Sequence, residues 1–193
     1  SSRLLSERSQ VRVLPGAPAR RFVQYLAWRL TTAAAERLPP RVSNALAAAA
    51  GITAYYAWRK GRKAAERNFR RVLGADSARA RDAQRLARRS FVHYCQYLAE
   101  FARLPSLSAA ERRAALVHED PLRRLLETPR PRGVVIALPH LGNWDLGAAA
   151  VAARGLSLAV VGERFGDARL DRLVFSQRER LGVRVVPLGS PAP

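Results

Sequence analysis

Apolar residues recur at helical spacing through the first two thirds of the chain and gather into strand-like runs in the last third. Ser1 to Ala19 holds no lasting period, contains Pro15, Gly16 and Pro18, and reads as a flexible tail. From Arg20, residues Phe22, Val23, Leu26 and Leu30 fall three and four apart, which predicts an amphipathic helix. Arg20, Arg21 and Arg29 lie on or near its other face, and Tyr25 and Trp28 flank the stripe. Such a helix suits either a membrane surface or the protein's own core. Pro39-Pro40 ends it. A small-residue-rich helix is expected from Arg41 to Arg59, then Gly61 as punctuation and a basic helix from Arg62 to Leu73. Gly74-Ala75-Asp76-Ser77 reads as a C-cap followed by an N-cap. The longest helix is expected from Ala78 to Arg103, burying Leu86, Ala87, Phe91, Tyr94, Leu98 and Phe101. Pro105 stops it, and one or two short helices lead to Thr128.

After the turn cluster Pro129-Arg130-Pro131-Arg132-Gly133 the period changes. Val134 to Leu138 is a continuous apolar run, the pattern of a strand covered on both faces. A helix from Asn143 to Arg154, a strand at Leu158–Val161, a helix from Asp167 to Leu181 and a strand at Val183–Leu188 follow. This β-α-β-α-β order predicts an α/β fold: a helical region, 20–128, leading into a mostly parallel sheet flanked by helices, 129–193, within one domain.

Charge adds a partner. The 193 residues carry 34 Lys+Arg against 15 Asp+Glu, a formal net charge of +19, which calls for an anionic membrane face, a phosphate-rich substrate or nucleic acid. No nucleic-acid-binding module is legible, so nucleic acid is not an expected partner. No stretch matches a transmembrane helix: Val42 to Trp58 is free of charge but Ala-rich and short of the ~20 apolar residues a span needs. No signal peptide is expected either, since Arg3, Glu7, Arg8 and Arg12 interrupt any apolar run. The lone cysteine, Cys95, excludes an intrachain disulfide and a Cys-based zinc site, and no metal is expected. Cys95 and His93 read as structural residues of the long helix, and His118, beside Glu119-Asp120, as surface.

The chemistry concentrates at Leu138-Pro139-His140-Leu141-Gly142-Asn143-Trp144-Asp145. A strand running into a helix places this segment at the carboxyl edge of the sheet, where open α/β folds bind ligands. Asn143 is a good N-cap. His140 and Asp145 would diverge on one continuous helix, but across a strand–loop–helix corner the carboxylate can orient the imidazole, leaving the other nitrogen to act as a base. Without a Gly-x-Ser-x-Gly elbow a covalent acyl-enzyme is not expected, so the nucleophile would be a substrate hydroxyl.

His140-Leu-Gly-Asn-Trp-Asp145 after an apolar strand resembles the His-x-x-x-x-Asp signature of the lysophospholipid and lipid A acyltransferase superfamily. Glu66-Arg67-Asn68, Phe91-Val92-His93-Tyr94, Gly162-Glu163-Arg164-Phe165 and Gln177-Arg178-Glu179-Arg180-Leu181-Gly182 extend the resemblance, over roughly residues 20 to 190, to the branch of lipid A late acyltransferases and phosphatidylinositol mannoside acyltransferases, and the Arg-rich composition with the Glu163-Arg164 element favours the mannoside side. The resemblance implies a glycerol-3-phosphate acyltransferase-like αβα core. It implies acyl transfer from acyl-CoA, a substrate and not a cofactor, to the 6-hydroxyl of the mannose on the inositol 2-position. His140 would be the general base and Asp145 its orienter, with Arg164, Arg178, Asn143 and Glu163 binding substrate. As surface ion pairs, Arg164 would instead meet Glu163 and Arg178 would meet Glu179. Partners would be acyl-CoA, a phosphoinositide glycolipid acceptor and an anionic membrane, at the cytoplasmic face of the inner membrane. Members of the branch are roughly half as long again, so further sheet elements and another acidic residue are expected downstream of a chain like this one. Two alternatives stand beside this reading: a lipid A-type late acyltransferase, and a catalytically incomplete basic protein binding membrane or nucleic acid.

Overall fold

A computed structural model describes residues 18–74, 79–116, 123, 124, 127 and 133–189. The expected tail up to residue 17, the Ala75–Ser77 cap, His118 and its acidic neighbours, and the turn cluster at 129–132 lie outside these residues.

Four helices build the first half: α1, Pro18–Arg37; α2, Pro40–Ala57; α3, Arg59–Leu73; and α4, Ala80–Arg103. The last is the spine, against which α1, α2 and α3 all pack. Close approach to α2 rests on Gly51: a Cβ there would lie 2.6 Å from the Cα of Val92 on α4. One turn on, buried Tyr55 meets Phe91 edge-on at 5.6 Å and donates its hydroxyl to Glu66 Oε1 of α3 at 2.7 Å. Burial, then that carboxylate, pushes the Tyr55 phenol up to about 12.

Several expectations change here. The break between α2 and α3 falls at Trp58, not at Gly61, which sits inside α3, where a Cβ would strike the Trp58 indole at 2.4 Å. On α4 the buried stripe runs through Ala83, Ala87, Ala99, Phe101 and Ala102, while Tyr94 is 58% exposed. Small residues let α2 come close, and that contact, not side-chain size, selects the buried face. On α1 the stripe Phe22, Val23, Leu26 and Leu30 faces outward. The face that packs instead carries Trp28, which meets Phe101 at 5.6 Å, and Ala35, two helical turns further on.

A 3₁₀ turn, Leu104–Ser106, and a short helix α5, Ala109–Ala114, follow the spine. The second half contains α6, Trp144–Ala152; β1, Leu158–Gly162; α7, Ala168–Arg180; and β2, Val183–Pro187. β1 and β2 pair in parallel, with Leu158 opposite Val183 and Gly162 opposite Pro187, and α7 is the crossover between them. Parallel strands need such a crossover helix, so the fold is α/β. The run Val134–Leu138 is not a strand: it is irregular, and Val135 is 97% exposed. An apolar run supplies side chains for a sheet, but a strand exists only where its backbone finds a paired neighbour, and among the described residues the only ladder is β1–β2. Phe101 and Leu104 from the end of the spine join Ala149, Leu170, Val174, Leu181 and Val183 in one apolar cluster. That cluster fixes α6 and α7 against α4, and so fixes the segment that enters α6.

Candidate active site

The corner before α6 is built by local chemistry. Gly142 adopts φ +69°, the left-handed region that glycine enters without a Cβ clash. Asn143 then caps the helix: its Oδ1 accepts from the Leu146 amide at 2.9 Å, as its sequence position predicts. Its Nδ2 donates to Glu100 Oε2 at 2.9 Å, which ties the corner to the spine.

His140 is exposed at this corner, and its imidazole packs edge-on against Trp144 with ring centroids 4.7 Å apart. Trp144 in turn lies 4.3 Å from Tyr97 of α4, which stacks on Phe101. Asp145, in the first turn of α6, is only 5% exposed. Its Oδ1 accepts from Arg178 Nε at 2.8 Å, and its Oδ2 accepts from Arg178 Nη2 at 3.3 Å and from the Tyr97 hydroxyl at 2.5 Å. The two-pronged guanidinium contact is the arrangement best able to compensate a desolvated carboxylate. The expected hydrogen bond from the His140 ring to Asp145 is therefore not formed. The carboxylate is spent on partners that helix packing delivers from α4 and α7, and the imidazole is held by ring contact.

Charge states follow the geometry. Burial, reinforced by the bond to Asp145, raises the Tyr97 phenol, so it donates as a neutral hydroxyl. Burial works against the Arg178 cation, but the Asp145 contact outweighs it and raises the guanidinium further. Arg178 also lies over the Phe101 ring, 5.4 Å from its centroid. Its neighbour Gln177 is buried and donates to the Phe101 carbonyl at 2.6 Å, pinning α7 to the spine.

Of the sequence-predicted residues, the structure brings Asp145 and Arg178 into contact and sets Asn143 and His140 beside them. Arg178 takes Asp145 as its partner and not Glu179. Glu163 and Arg164 lie elsewhere, exposed in the turn after β1, with no ion pair between them. Arg164 lines a separate cavity of about 730 Å³ with Tyr25, Arg169 and Arg172. Tyr97, Glu100 and Gln177 were not predicted as site residues. A mid-helix tyrosine three and four residues from Tyr94 and Phe101 is the only signal for the first, because a buried phenol needs a polar partner. Cys95 is half-buried and burial raises its thiol, as for an inert structural residue, whereas His93 is exposed. Among the described residues no cluster of His, Cys, Asp and Glu is arranged to hold a metal ion.

A largely apolar cavity of about 730 Å³ runs among α1, α2, α4 and α7. Trp28, Leu46, Leu98 and Val174 line it, and Tyr97, Trp144 and Arg178 bring it to the ring cluster that carries His140. The model of the bacterial lipid A biosynthesis acyltransferase family matches residues 12–191. The chain belongs to that family. Within this acyltransferase family the comparison with curated proteins is narrower. The chain is 33% identical over 123 residues to a phosphatidylinositol mannoside acyltransferase of Mycolicibacterium smegmatis, covering 63% of this chain and 39% of that protein. The protein of the same name from Mycobacterium tuberculosis is 33% identical over 125 residues, covering 63% and 38%. The matched segment is thus well under half the length of these relatives. No solved structure matches.

Proposed function

We propose that this chain serves an acyl-CoA-dependent O-acyltransferase that moves a fatty acyl chain to a mannose hydroxyl of a phosphatidylinositol mannoside. The observation that carries the reading is an accessible imidazole beside a ring cluster that borders a largely apolar cavity of about 730 Å³. The acyl chain of the donor occupies that cavity, which places its thioester near Trp144. His140 takes the proton of the acceptor hydroxyl as the oxygen attacks the thioester carbonyl. The tetrahedral intermediate then collapses, the carbon–sulfur bond breaks, and the imidazolium returns the proton to the departing thiolate. Asp145 acts as a positioning residue: it fixes the first turn of α6 through Arg178 and Tyr97, and with it the corner that carries His140. Asn143 holds that corner to Glu100. Arg164 and Glu163 bind polar groups of the acceptor.

The acceptor assignment rests on the two mycobacterial relatives, which are phosphatidylinositol mannoside acyltransferases by name. The family's own description favours a second acceptor, a lipid A precursor. A peripheral site of action, on the anionic cytoplasmic face of the inner membrane, is supported by the outward apolar stripe of α1 and the basic α3. No helix of the described residues is long and apolar enough to cross a membrane.

The test is transfer of labelled acyl chain from acyl-CoA to mannosylated phosphoinositide, with a lipid A precursor as the parallel acceptor. His140→Ala is expected to reduce transfer by about 10²–10⁴-fold while leaving the fold intact by circular dichroism. Unchanged turnover in that variant would remove the general base from the mechanism. Transfer to the lipid A precursor alone would reassign the acceptor.

A further inference from the structure

A third cleft, of about 570 Å³, opens where α2 and α3 meet α4. Arg62 and Lys63 of α3 and Arg81, Arg85 and Arg88 of α4 line it. The three α4 arginines stand four and three residues apart, so they share one face of the helix. Glu66 is the only carboxylate in the lining, and it is already engaged by the Tyr55 hydroxyl at 2.7 Å and by Arg62 and Arg70 at 3.9 Å each. Arg85 has Asp82 at 3.1 Å. Lys63, Arg81 and Arg88 have no counter-ion among the described residues. Cations gathered in a concave space repel one another, and a folded chain keeps them there at a cost that a bound anion removes. Guanidinium forks match the oxygens of phosphate in particular. The volume exceeds what one inorganic phosphate fills and leaves room for an organic group attached to it.

We propose that this cleft binds the phosphate group of an organic phosphomonoester, presented by a lipid headgroup or by its soluble counterpart. The site is separate from the ring cluster of His140, and it stands whether or not the chain transfers acyl groups. Exposed Tyr56 in the lining, and exposed Trp58 on the same stretch of chain, give a headgroup an interfacial neighbourhood.

The experiment measures binding of the full chain to glycerol 3-phosphate by calorimetry and to phosphatidylcholine vesicles containing phosphatidic acid by sedimentation. Arg81→Gln with Arg88→Gln empties the cleft of two unpaired cations. Arg67→Gln with Arg71→Gln removes the same charge from exposed positions outside it. At about a fivefold loss per cation, the cleft pair is expected to weaken binding roughly 25-fold, and the control pair by less than about threefold. Loss of glycerol 3-phosphate binding in the cleft pair supports the site with a soluble source. Loss confined to vesicles supports it with a lipid source. Equal loss in both pairs would reduce the cleft to diffuse charge and overturn the proposal, as would failure of both probes to bind.

Discussion

Asp145 keeps a carboxylate where only 5% of the residue meets water, and its two oxygens are shared between a guanidinium and a phenol. The partners are unequal. Arg178 brings a full charge, its side chain 17% exposed, and Tyr97 brings one hydrogen bond. Arg178→Met is therefore expected to cost about 3–5 kcal/mol, because it strands a buried charge. Tyr97→Phe should cost only about 1–2 kcal/mol, because the ion pair survives it. Urea unfolding followed by circular dichroism separates the two, and a larger loss for Tyr97→Phe would mean that the hydroxyl, not the guanidinium, compensates Asp145. The same residues mark the limit of sequence reading at this scale. The Asn143 cap was legible because its acceptor and donor lie three residues apart. The pairing of Asp145 with Arg178, 33 residues away, was not, because nothing local distinguishes one arginine from another in so basic a chain.

At the scale of elements, the helices were readable because a period of 3.6 is a local property, and their predicted ends fall close to those observed. The crossover from β1 to β2 was readable for the same reason, as apolar runs separated by a helix of the right length. What failed was Val134–Leu138, whose strand character depends on a neighbour the sequence does not name, and Gly61, whose role is set by the Trp58 ring lying against it. The α2–α4 contact makes a sharp test. Gly51→Ala gains up to about 1 kcal/mol of helix propensity, yet its Cβ meets backbone and not a flexible side chain. The helices must separate, so a net destabilisation of about 1–3 kcal/mol is expected. A rise in the thermal midpoint of that variant would show that α2 and α4 do not meet at this glycine.

For the whole molecule, the net charge of +19 and the outward apolar stripe of α1 would act on the proposed membrane partner by different laws. Attraction to anionic lipid is screened over ~8–10 Å at physiological salt, whereas burial of Phe22, Leu26 and Leu30 in a bilayer is not. Vesicle sedimentation is expected to fall steeply with salt for the unaltered chain. Phe22→Ser with Leu26→Ser should lower the salt-resistant remainder without changing the slope. A remainder that the double variant leaves untouched would place the apolar attachment elsewhere on the surface.

The Asp145 pairing also has a consequence in time. Tyr97 precedes Asp145 by 48 residues and Arg178 follows it by 33, so three distant stretches of chain must converge before the corner is held. Contacts of such separation close late, after local helices have formed. The α2–α4 contact at Gly51 and Val92 spans a comparable separation but joins only two stretches of chain, so the helical half is expected to close while α6 still lacks its anchor. On that order His140 is expected to reach its place late in folding. In refolding followed residue by residue, amides of α2 and α4 should gain protection before those of α6, and the order of assembly would run from scaffold to chemistry.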